Sequence, residues 1–369
     1  MSLALALAIA VAFRDLYSVD MDAFLLPWFT HIQQAGPIGA FATPFSNYTP
    51  PYLYLLAAAS PLAAFASPVI VIKLVSVIGQ LFLTWAITCL LSSVRHPHPW
   101  PAAALIALAP TLIINSTLLT QCDAYWAAML VIALTAAIER RHAAMFAWCG
   151  LAIAFKAQAA FIGPFFLALA IARRIPFRLW AMAPLAALLA MLPAMMAGWP
   201  AGDLLTIYLR QTQWESLLAL NAPNVWMIAQ TLGGAEPRWF GSIAILATIA
   251  AIGCYTVFFA RRLHIAEPIT LLRAATLCAL IVPGLLPRMH ERYFFLGDAL
   301  VLALAAVRPS EWRAALFAQI GSGLGILAYL TGGEMFAVYG ALAMIYATWL
   351  IVRPFIALGA AEAPTPSPA

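Results

Sequence analysis

Apolar runs, each long enough to form all or most of a membrane helix, dominate this sequence. A hydrocarbon core about 30 Å thick is crossed by about 20 apolar residues in a helix. Because lipid offers no hydrogen-bond partner to the backbone, only helices or closed barrels cross it. The runs lack the period-two alternation of barrel strands, and they therefore predict helices. They fall at residues 101–118, 124–138, 143–155, 159–172, 179–198, 239–260, 268–286, 294–307, 314–331 and 337–352.

Composition excludes a water-soluble fold. Hydrophobic residues make up 64% of the 369 residues, charged residues make up 9%, and the mean hydropathy is +0.93. A soluble domain has about 25% charged residues. We therefore predict an all-α, polytopic transmembrane helix bundle with about 10–12 membrane segments. It forms a single domain over residues 1–357, and the Ala- and Pro-rich residues 358–369 predict a disordered tail.

Basic clusters between the apolar runs indicate the orientation in the membrane, because cytoplasmic loops are rich in Lys and Arg. Residues 14–49 then form the first extracytoplasmic loop, and residues 199–238 form a long outer segment. The net charge of +5 reflects these loops and indicates no nucleic-acid partner. The clusters are Arg95 with His96 and His98, Arg140–Arg141, Arg173–Arg174 with Arg178, Arg261–Arg262, Arg308 with Arg313, and Arg353.

One stretch conflicts with this orientation. Residues 50–92 must cross the membrane an odd number of times, although they are long enough for two helices. Either part of the stretch is re-entrant, or the loop at Arg95 lies on the other side. The start of the chain, Met1–Phe13, predicts a short first membrane helix.

The first outer loop concentrates acids and aromatic residues. It contains Asp20 and Asp22, then Trp28 in an aromatic-rich stretch too short to span, and it ends near Asn47-Tyr48. This pattern predicts an interfacial helix that holds an acid over a cavity, where a carboxylate can deprotonate an attacking hydroxyl. The alternative is a solvated loop whose aromatic residues anchor it at the interface.

Two further motifs place polar residues at helix ends. Asp123 opens a helix at the outer face, where it is either an ordinary N-terminal cap or a substrate ligand. Lys156 and Gln158 interrupt two runs of about 13 residues, each too short to span comfortably. Such broken helices line polar cavities in membrane proteins, although snorkelling also explains a lysine near a helix end.

The segment Pro287–Tyr293 places four ionisable residues in five positions on the predicted outer side. Arg288, His290 and Arg292 are suited to bind a phosphate, because guanidinium groups match phosphate oxygens in a bidentate way. The alternative is a salt-bridged surface turn. Asn224, in the long outer segment after an amphipathic stretch, either binds sugar hydroxyls or belongs to a plain turn.

These ionisable residues break the positive-inside pattern and converge on the outer face. Ionisable groups near the membrane are costly and persist where they have a function. We therefore predict one extracytoplasmic active site, in which the first-loop acid and the cluster around His290 meet. Asp20, Asp22 and Asp123 are also candidate ligands for a divalent metal.

The chain resembles the GT-C superfamily of polytopic glycosyltransferases, and in particular bacterial relatives of the mannosyltransferase that adds the second mannose of the GPI anchor. The resemblance covers residues 14–300. It is carried by Asp20-Met-Asp22 with Trp28, Asn47-Tyr48-Thr-Pro50-Pro51, Gln121-Cys-Asp123, Lys156 with Gln158, Asn221–Trp226, and Pro287–Tyr293.

The resemblance implies a function and a set of roles. A hexose, mannose-like, moves with inversion from a polyprenyl-phosphate donor to a glycan or lipid-linked acceptor, outside the plasma membrane of a bacterium. Asp20 is the implied general base, with Asp22 as the second candidate. The predicted donor-phosphate ligands are Lys156, Arg288, His290 and Arg292, and the predicted substrate ligands are Tyr48, Asp123, Gln158, Asn224 and Glu291. Asn47 departs from the family pattern, which often has an acid there.

Other functions predict other features. A transporter or flippase of lipid-linked sugars often has two related halves, and no internal repeat is evident. A ligase or polymerase of whole glycans usually has a larger outer loop than 199–238, and a structural scaffold needs no cluster at 288–292.

Overall fold

A computed structural model describes residues 8–9, 11–211, 217–234 and 237–361 of the chain. Within these ranges, six helices are long and apolar enough to cross a membrane, and one bent helix pair is a seventh candidate. Four shorter apolar segments of 10–17 residues accompany them. These helices confirm the predicted all-α, polytopic transmembrane bundle. The predicted number of about 10–12 membrane segments included the shorter helices as well as the long ones.

The chain divides into two compact units. The first unit comprises Met1–Ser216 with Thr256–Leu271, and the second comprises Leu217–Tyr255 with Leu272–Ala369. In the first unit a π-helical turn, Met21–Leu25, leads into the helices. These are α1 (Leu26–Ala35), α2 (Pro50–Ala59), α3 (Pro68–Ser93), α4 (Pro99–Ala107), α5 (Pro110–Thr117), α6 (Asp123–Ile138), α7 (His142–Phe155), α8 (Gly163–Ala172), α9 (Phe177–Trp180), α10 (Met182–Ala197) and α11 (Ala201–Gln211).

The second unit combines four helices with one short sheet. Two further helices have residues in both units: α13 (Pro237–Ala260) and α14 (Pro268–Leu285). The other elements of the second unit are β1 (Ala219–Leu220), α12 (Val225–Gly233), β2 (Met289–His290), α15 (Phe295–Val307), α16 (Trp312–Thr331) and α17 (Glu334–Ala361). Short 3-10 segments occur at Gly39–Ala42, Ser60–Ala64, Ala157–Ile162 and Pro309–Glu311.

Proline determines where many of the helices begin. The helices α2, α3, α4, α5, α13 and α14 all start at a proline. Proline suits the first helical position, because its missing N–H would have no partner there and its φ is already helical. The sequence therefore encodes these boundaries locally.

The helices of residues 50–92 account for the conflict in the predicted orientation. Helix α2 has 10 residues, whereas α3 has 26 and is the candidate span of this stretch. A single crossing by α3 satisfies the odd number that the charges require. Neither a second crossing nor a reassignment of the loop at Arg95 is needed.

Small residues let α16 and α17 approach closely. A Cβ atom added to Gly340 would lie 2.7 Å from the carbonyl oxygen of Gly321, and one added to Gly321 would lie 3.0 Å from that of Gly340. Small residues at such contacts are typical of membrane helix packing. Gly321 therefore serves the packing of α16 against α17, whereas a Cβ atom added to Gly323 would have nothing within 4 Å.

Several predicted segments fall partly outside the described residues. These are residues 1–7 and 10 of the predicted first helix, Gln213, Trp214 and Glu215 of the long outer segment, and residues 362–369 of the tail. Helix α17 continues to Ala361. The single domain over residues 1–357 stays a prediction.

Candidate active site

Asp20 lies at the start of the first-loop helix, immediately before the π-helical turn Met21–Leu25. The turn is closed by the N–H of Leu26, which donates to the carbonyl of Met21. Met21 and Leu25 are buried, Asp22 is exposed and Asp20 is half-buried. Single π-helical turns are rare and occur frequently at functional sites. The helix expected in this loop is therefore present, and its two acids have different environments.

Gln121 holds the carboxylate of Asp20. Its Nε2 atom donates to Oδ2 of Asp20 at 2.9 Å and to the carbonyl of Leu119 at 3.3 Å. The hydroxyl of Ser18 donates to the same carbonyl at 3.0 Å. The intervening Thr120 has a left-handed backbone, with φ 58°. These contacts join the first loop to the segment before α6.

Asp123 and Lys156 form a buried ion pair. The Nζ atom of Lys156 lies 2.7 Å from Oδ1 of Asp123, and both side chains are less than 10% exposed. The carboxylate also accepts from Nε1 of Trp126 at 2.8 Å and from Nδ2 of Asn115 at 3.1 Å. A buried charge is tolerated where it is paired and hydrogen-bonded. Asp123 satisfies both conditions.

The chain breaks at Lys156, as predicted. Helix α7 ends at Phe155, and Lys156 itself has an extended backbone, with φ −159° and ψ 138°. A 3-10 segment, Ala157–Ile162, follows and leads into α8. The break exposes backbone carbonyls near the lysine, and the hydroxyl of Thr49 donates to that of Phe155 at 3.2 Å.

One aromatic residue of the first loop, Tyr48, lies beside the lysine. The Nζ atom of Lys156 lies 5.4 Å from the ring centroid of Tyr48, a cation–π geometry. The ring of Tyr48 lies 5.0 Å from that of Trp28. Tyr208 of α11 contacts Thr49 and donates to the carbonyl of Ile153. Burial raises the pKa of the Tyr208 phenol above its ordinary value, so it stays a neutral donor.

Several buried oxygen atoms in this unit have no hydrogen-bond partner among the described residues. They include Oη of Tyr52, Oδ1 of Asn115 and Oε1 of Gln158. Desolvation raises the pKa of Tyr52 well above its ordinary value. Buried polar atoms are nearly always paired, so unpaired ones indicate a bound water or ligand. Asn115 bonds to Asp123 through its other amide atom, which places one of these oxygens beside the ion pair.

The second unit carries the predicted phosphate-binding segment. Glu291 is almost fully buried, and its Oε1 lies 2.7 Å from Nη1 of Arg292. Its Oε2 lies 3.8 Å from Nδ1 of His290, whose ring centroid lies 5.1 Å from that of Tyr293. One carboxylate therefore contacts two of the four predicted phosphate ligands.

Arg288 is exposed and has a left-handed backbone, with φ 62°. This conformation costs a non-glycine residue about 1–2 kcal/mol. Its N–H donates to the carbonyl of Leu218 at 2.7 Å, beside the parallel pairing of β1 with β2, in which Leu220 pairs with His290. Strained residues persist where the surroundings hold them, and they cluster at functional sites.

Asn224 and Trp226 connect the start of α12 to the chain that leads into this segment. The Oδ1 atom of Asn224 caps α12 by accepting from the N–H of Trp226 and of Met227, both at 3.1 Å. Its Nδ2 donates to the carbonyls of Pro283 and Leu286 at 3.3 and 3.2 Å. These bonds give Asn224 a structural role, and its predicted contact with a substrate stays a prediction.

The chain resembles ArnT in fold. The structure of ArnT from Cupriavidus metallidurans bound to undecaprenyl phosphate aligns with a TM-score of 0.55 and 13% sequence identity. The alignment covers 99% of this chain and 80% of ArnT. Neither a family model nor a curated protein sequence matches the chain. At 13% identity the likeness shows the fold, and it confirms the predicted GT-C-like helix bundle.

The structure groups the predicted site residues within each unit. Asp20, Tyr48, Asp123 and Lys156 lie in the first unit, where Lys156 contacts both Asp123 and Tyr48, and Gln158 lies in the same unit, in the 3-10 segment after the break. Arg288, His290, Glu291, Arg292 and Asn224 lie in the second unit. The predicted meeting of Asp20 with His290 concerns residues of different units and stays a prediction, as do all the individual roles.

Sequence reasoning missed three polar contributors. Gln121 was noted only as part of a motif, although it is the residue that bonds to Asp20. Lys73 is almost fully buried in α3, and its Nζ donates to the carbonyls of Phe13 and Leu16 at 2.6 and 2.8 Å. Asp298 is buried and accepts from Ser322 at 3.0 Å. A lone ionisable residue within an apolar run was the available signal for Lys73 and Asp298.

A metal ion is not indicated by the grouping of potential ligands. Within the described ranges, no three or more His, Cys, Asp or Glu side chains lie together in a way that could hold one. Asp123 is engaged by Lys156, Trp126 and Asn115, as described above.

Proposed function

We propose that this protein is an inverting membrane glycosyltransferase. It transfers a hexose, mannose-like, from a polyprenyl-phosphate sugar to a hydroxyl of a lipid-linked glycan or envelope glycoconjugate. In this proposal the protein lies in a bacterial inner membrane and acts on the extracytoplasmic face.

One observation carries the proposal: the half-buried carboxylate of Asp20, held by Gln121 at 2.9 Å in a fold similar to that of ArnT. ArnT was solved with undecaprenyl phosphate, which supports a polyprenyl-phosphate donor for this chain. A half-buried carboxylate held in place by a hydrogen bond is suited to serve as a general base. Asp22 is exposed and lies two residues after Asp20, which favours Asp20 over it.

The proposed reaction is a single displacement. The acceptor oxygen attacks the anomeric carbon while its proton passes to the carboxylate of Asp20. The bond between the anomeric carbon and the phosphate oxygen breaks, and the electron pair leaves with the phosphate. Attack from the side opposite the leaving group inverts the anomeric centre. A phosphate leaving group has low basicity, so it needs charge stabilisation more than protonation.

Arg288, His290 and Arg292 are proposed to supply that stabilisation. Guanidinium groups match phosphate oxygens, and the side chain of Arg288 is exposed. Glu291 contacts Arg292 and His290, and we assign it the role of orienting them. Lys156, whose Nζ atom lies above the ring of Tyr48, is proposed to contact the donor phosphate.

The experiment is sugar transfer by the purified protein in detergent, with undecaprenyl-phosphate mannose as the donor and extracted envelope lipids as acceptors. We expect Asp20→Asn to lower turnover by about 10²–10⁴-fold, the usual contribution of a general base. Asp22→Asn, the matched control, should retain turnover. Activity in Asp20→Asn with loss in Asp22→Asn would reassign the base.

The flippase alternative has a distinct outcome. A flippase moves intact lipid-linked sugar across a bilayer and produces no new glycosidic bond. If the wild-type protein transfers no sugar in detergent but moves labelled lipid across proteoliposomes, the glycosyltransferase proposal is wrong.

A further inference from the structure

Three helices of the first unit end in the same way, with an arginine where glycine is usual. Arg95, Arg140 and Arg174 follow the ends of α3, α6 and α8, and their φ values are 61°, 60° and 49°. The N–H of the next residue donates back five positions in each case, at 2.8–2.9 Å, which is the Schellman closure. A side chain in this conformation costs about 1–2 kcal/mol relative to glycine. The repeated cost indicates that the cationic side chains themselves matter.

The ends of α6 and α8 meet at the carbonyl group of Ala137, which accepts from one cationic side chain and from the backbone of Arg140. Nη1 of Arg173 donates to the carbonyl of Ala137 at 2.6 Å. The backbone N–H of Arg140 donates to the same carbonyl at 3.2 Å. The neighbouring acid, Glu139, is engaged by Arg141 through two contacts at 2.5 and 2.7 Å. Within the described part of the chain, no carboxylate pairs with Arg140 or Arg173.

Two buried nitrogen atoms at this place have no hydrogen-bond partner among the described residues. They are Nε of Arg173 and Nε2 of His142, the residue that opens α7. A buried donor without an acceptor is costly and indicates a missing partner. Both nitrogens can donate, and every nearby free charge is positive. An anion is the partner that accepts from these donors and also balances the positive charge.

The surroundings indicate that this anion carries hydrocarbon. Phe177 of α9 is 79% exposed, and Ile171 in the last turn of α8 is 48% exposed. Both flank Arg173 and Arg174 in sequence and present apolar surface beside the cations. A phosphate with an acyl chain satisfies the cations and this surface together, whereas free phosphate satisfies only the cations.

We propose that Arg140, His142 and Arg173 bind the phosphate of an anionic membrane lipid. The site lies at the far end of α6 from Asp123, about 24 Å away along a 16-residue helix. It belongs to the side that the basic loops assign to the cytoplasm. The lipid is therefore a ligand separate from the proposed sugar donor, and the inference does not rest on the proposed function.

The test is native mass spectrometry of the purified full chain with phosphatidylglycerol, phosphatidylcholine or inorganic phosphate as the probe. The wild-type protein should retain phosphatidylglycerol in preference to phosphatidylcholine. Arg173→Gln and Arg140→Gly should each weaken this binding about fivefold, the typical contribution of one cation near an anionic lipid. Glycine keeps the left-handed backbone at position 140, so the change removes only the side chain.

Arg95→Gly is the matched control, because it makes the same change at a helix end outside the proposed site, and it should leave lipid binding unchanged. Equal retention of both lipids by the wild type would overturn the proposal without reference to any variant. Displacement of phosphatidylglycerol by equimolar inorganic phosphate would identify a free-anion site instead. If Arg173→Gln fails to fold, His142→Gln carries the same expectation, and normal lipid binding by that variant contradicts the proposal.

Discussion

The Nζ atom of Lys156 lies 2.7 Å from Oδ1 of Asp123, and the two side chains are buried together although 33 residues separate them in the chain. The pair joins the break after α7 to the start of α6. Asp123 is also two residues from Gln121, whose side chain bonds to Asp20, the proposed base. The ion pair therefore links the stability of the first unit to the geometry of the proposed site.

Removing one partner of this pair should destabilise the protein strongly. Lys156→Met leaves the Asp123 carboxylate buried without its counter-ion, which costs about 3–5 kcal/mol in such pairs. The double variant Asp123→Asn, Lys156→Met removes both charges and should recover part of that loss. Thermal unfolding in detergent measures the effect. Equal melting temperatures for wild type and Lys156→Met would show that the pair contributes little.

Loss of the Gln121 side chain should slow the proposed reaction by releasing Asp20. A hydrogen bond to a charged group contributes about 1.5–3 kcal/mol, so Gln121→Ala should lower kcat about 10–100-fold. KM for the donor should change little, because Gln121 contacts the acid and not the proposed phosphate ligands. Steady-state kinetics of sugar transfer test this. Gln230→Ala is a control, since Gln230 bonds to Leu218 and Ala219 in the other unit. A fall in kcat/KM in Gln230→Ala, with no fall in Gln121→Ala, would contradict the assignment.

Lys73 should fix the segment that leads into the first loop. Lys73→Met leaves the carbonyls of Phe13 and Leu16 without their shared donor, at a cost of about 1–3 kcal/mol for each group that stays buried. We expect faster cleavage near residues 13–16 in limited proteolysis of the detergent-solubilised protein. Lys73→Arg keeps a cationic donor and should protect the segment. The same cleavage rate in all three proteins would count against this role.

Two variants of Arg288 distinguish the effect of its backbone strain from the function of its side chain. Arg288→Gly relieves the left-handed backbone and should raise the free energy of unfolding by about 1 kcal/mol. The same variant loses a proposed phosphate ligand and should raise KM for the donor about tenfold. Arg288→Gln keeps the strain and should raise KM without the gain in stability. A stabilised glycine variant with unchanged KM would remove Arg288 from the donor site.

The contact between α16 and α17 should tolerate no side chain at Gly340. Gly340→Ala places a Cβ atom 2.7 Å from the carbonyl oxygen of Gly321, so the helices must separate, at a cost of about 1–3 kcal/mol for overpacking. Gly323→Ala, in the same pair of helices, has nothing within 4 Å of the added atom and should be neutral or stabilising. Melting temperatures of the two variants provide the comparison. Similar values for both would refute the close approach.

Some parts of the site were predictable because the signal was local. The break at Lys156 follows from two apolar runs too short to span, and the structure confirms it. The helix after Gln121-Cys122 begins at Asp123, as the motif indicated. The pairing of β1 with β2, which places Asn221 beside His290, had no local signal. Two-residue strands are defined by their partner and not by their own composition.

By itself, the sequence determined that this chain is a bundle of membrane helices, where most of those helices begin and which segments carry charge. Hydropathy, proline and positive residues act within a few positions of themselves, so these properties can be read along the chain. Only the tertiary structure decided that Asp20 bonds to Gln121 across 101 positions and that Asp123 is neutralised by Lys156. The partner of a buried polar group depends on which helices pack together, and that packing sums many weak contacts along the whole chain.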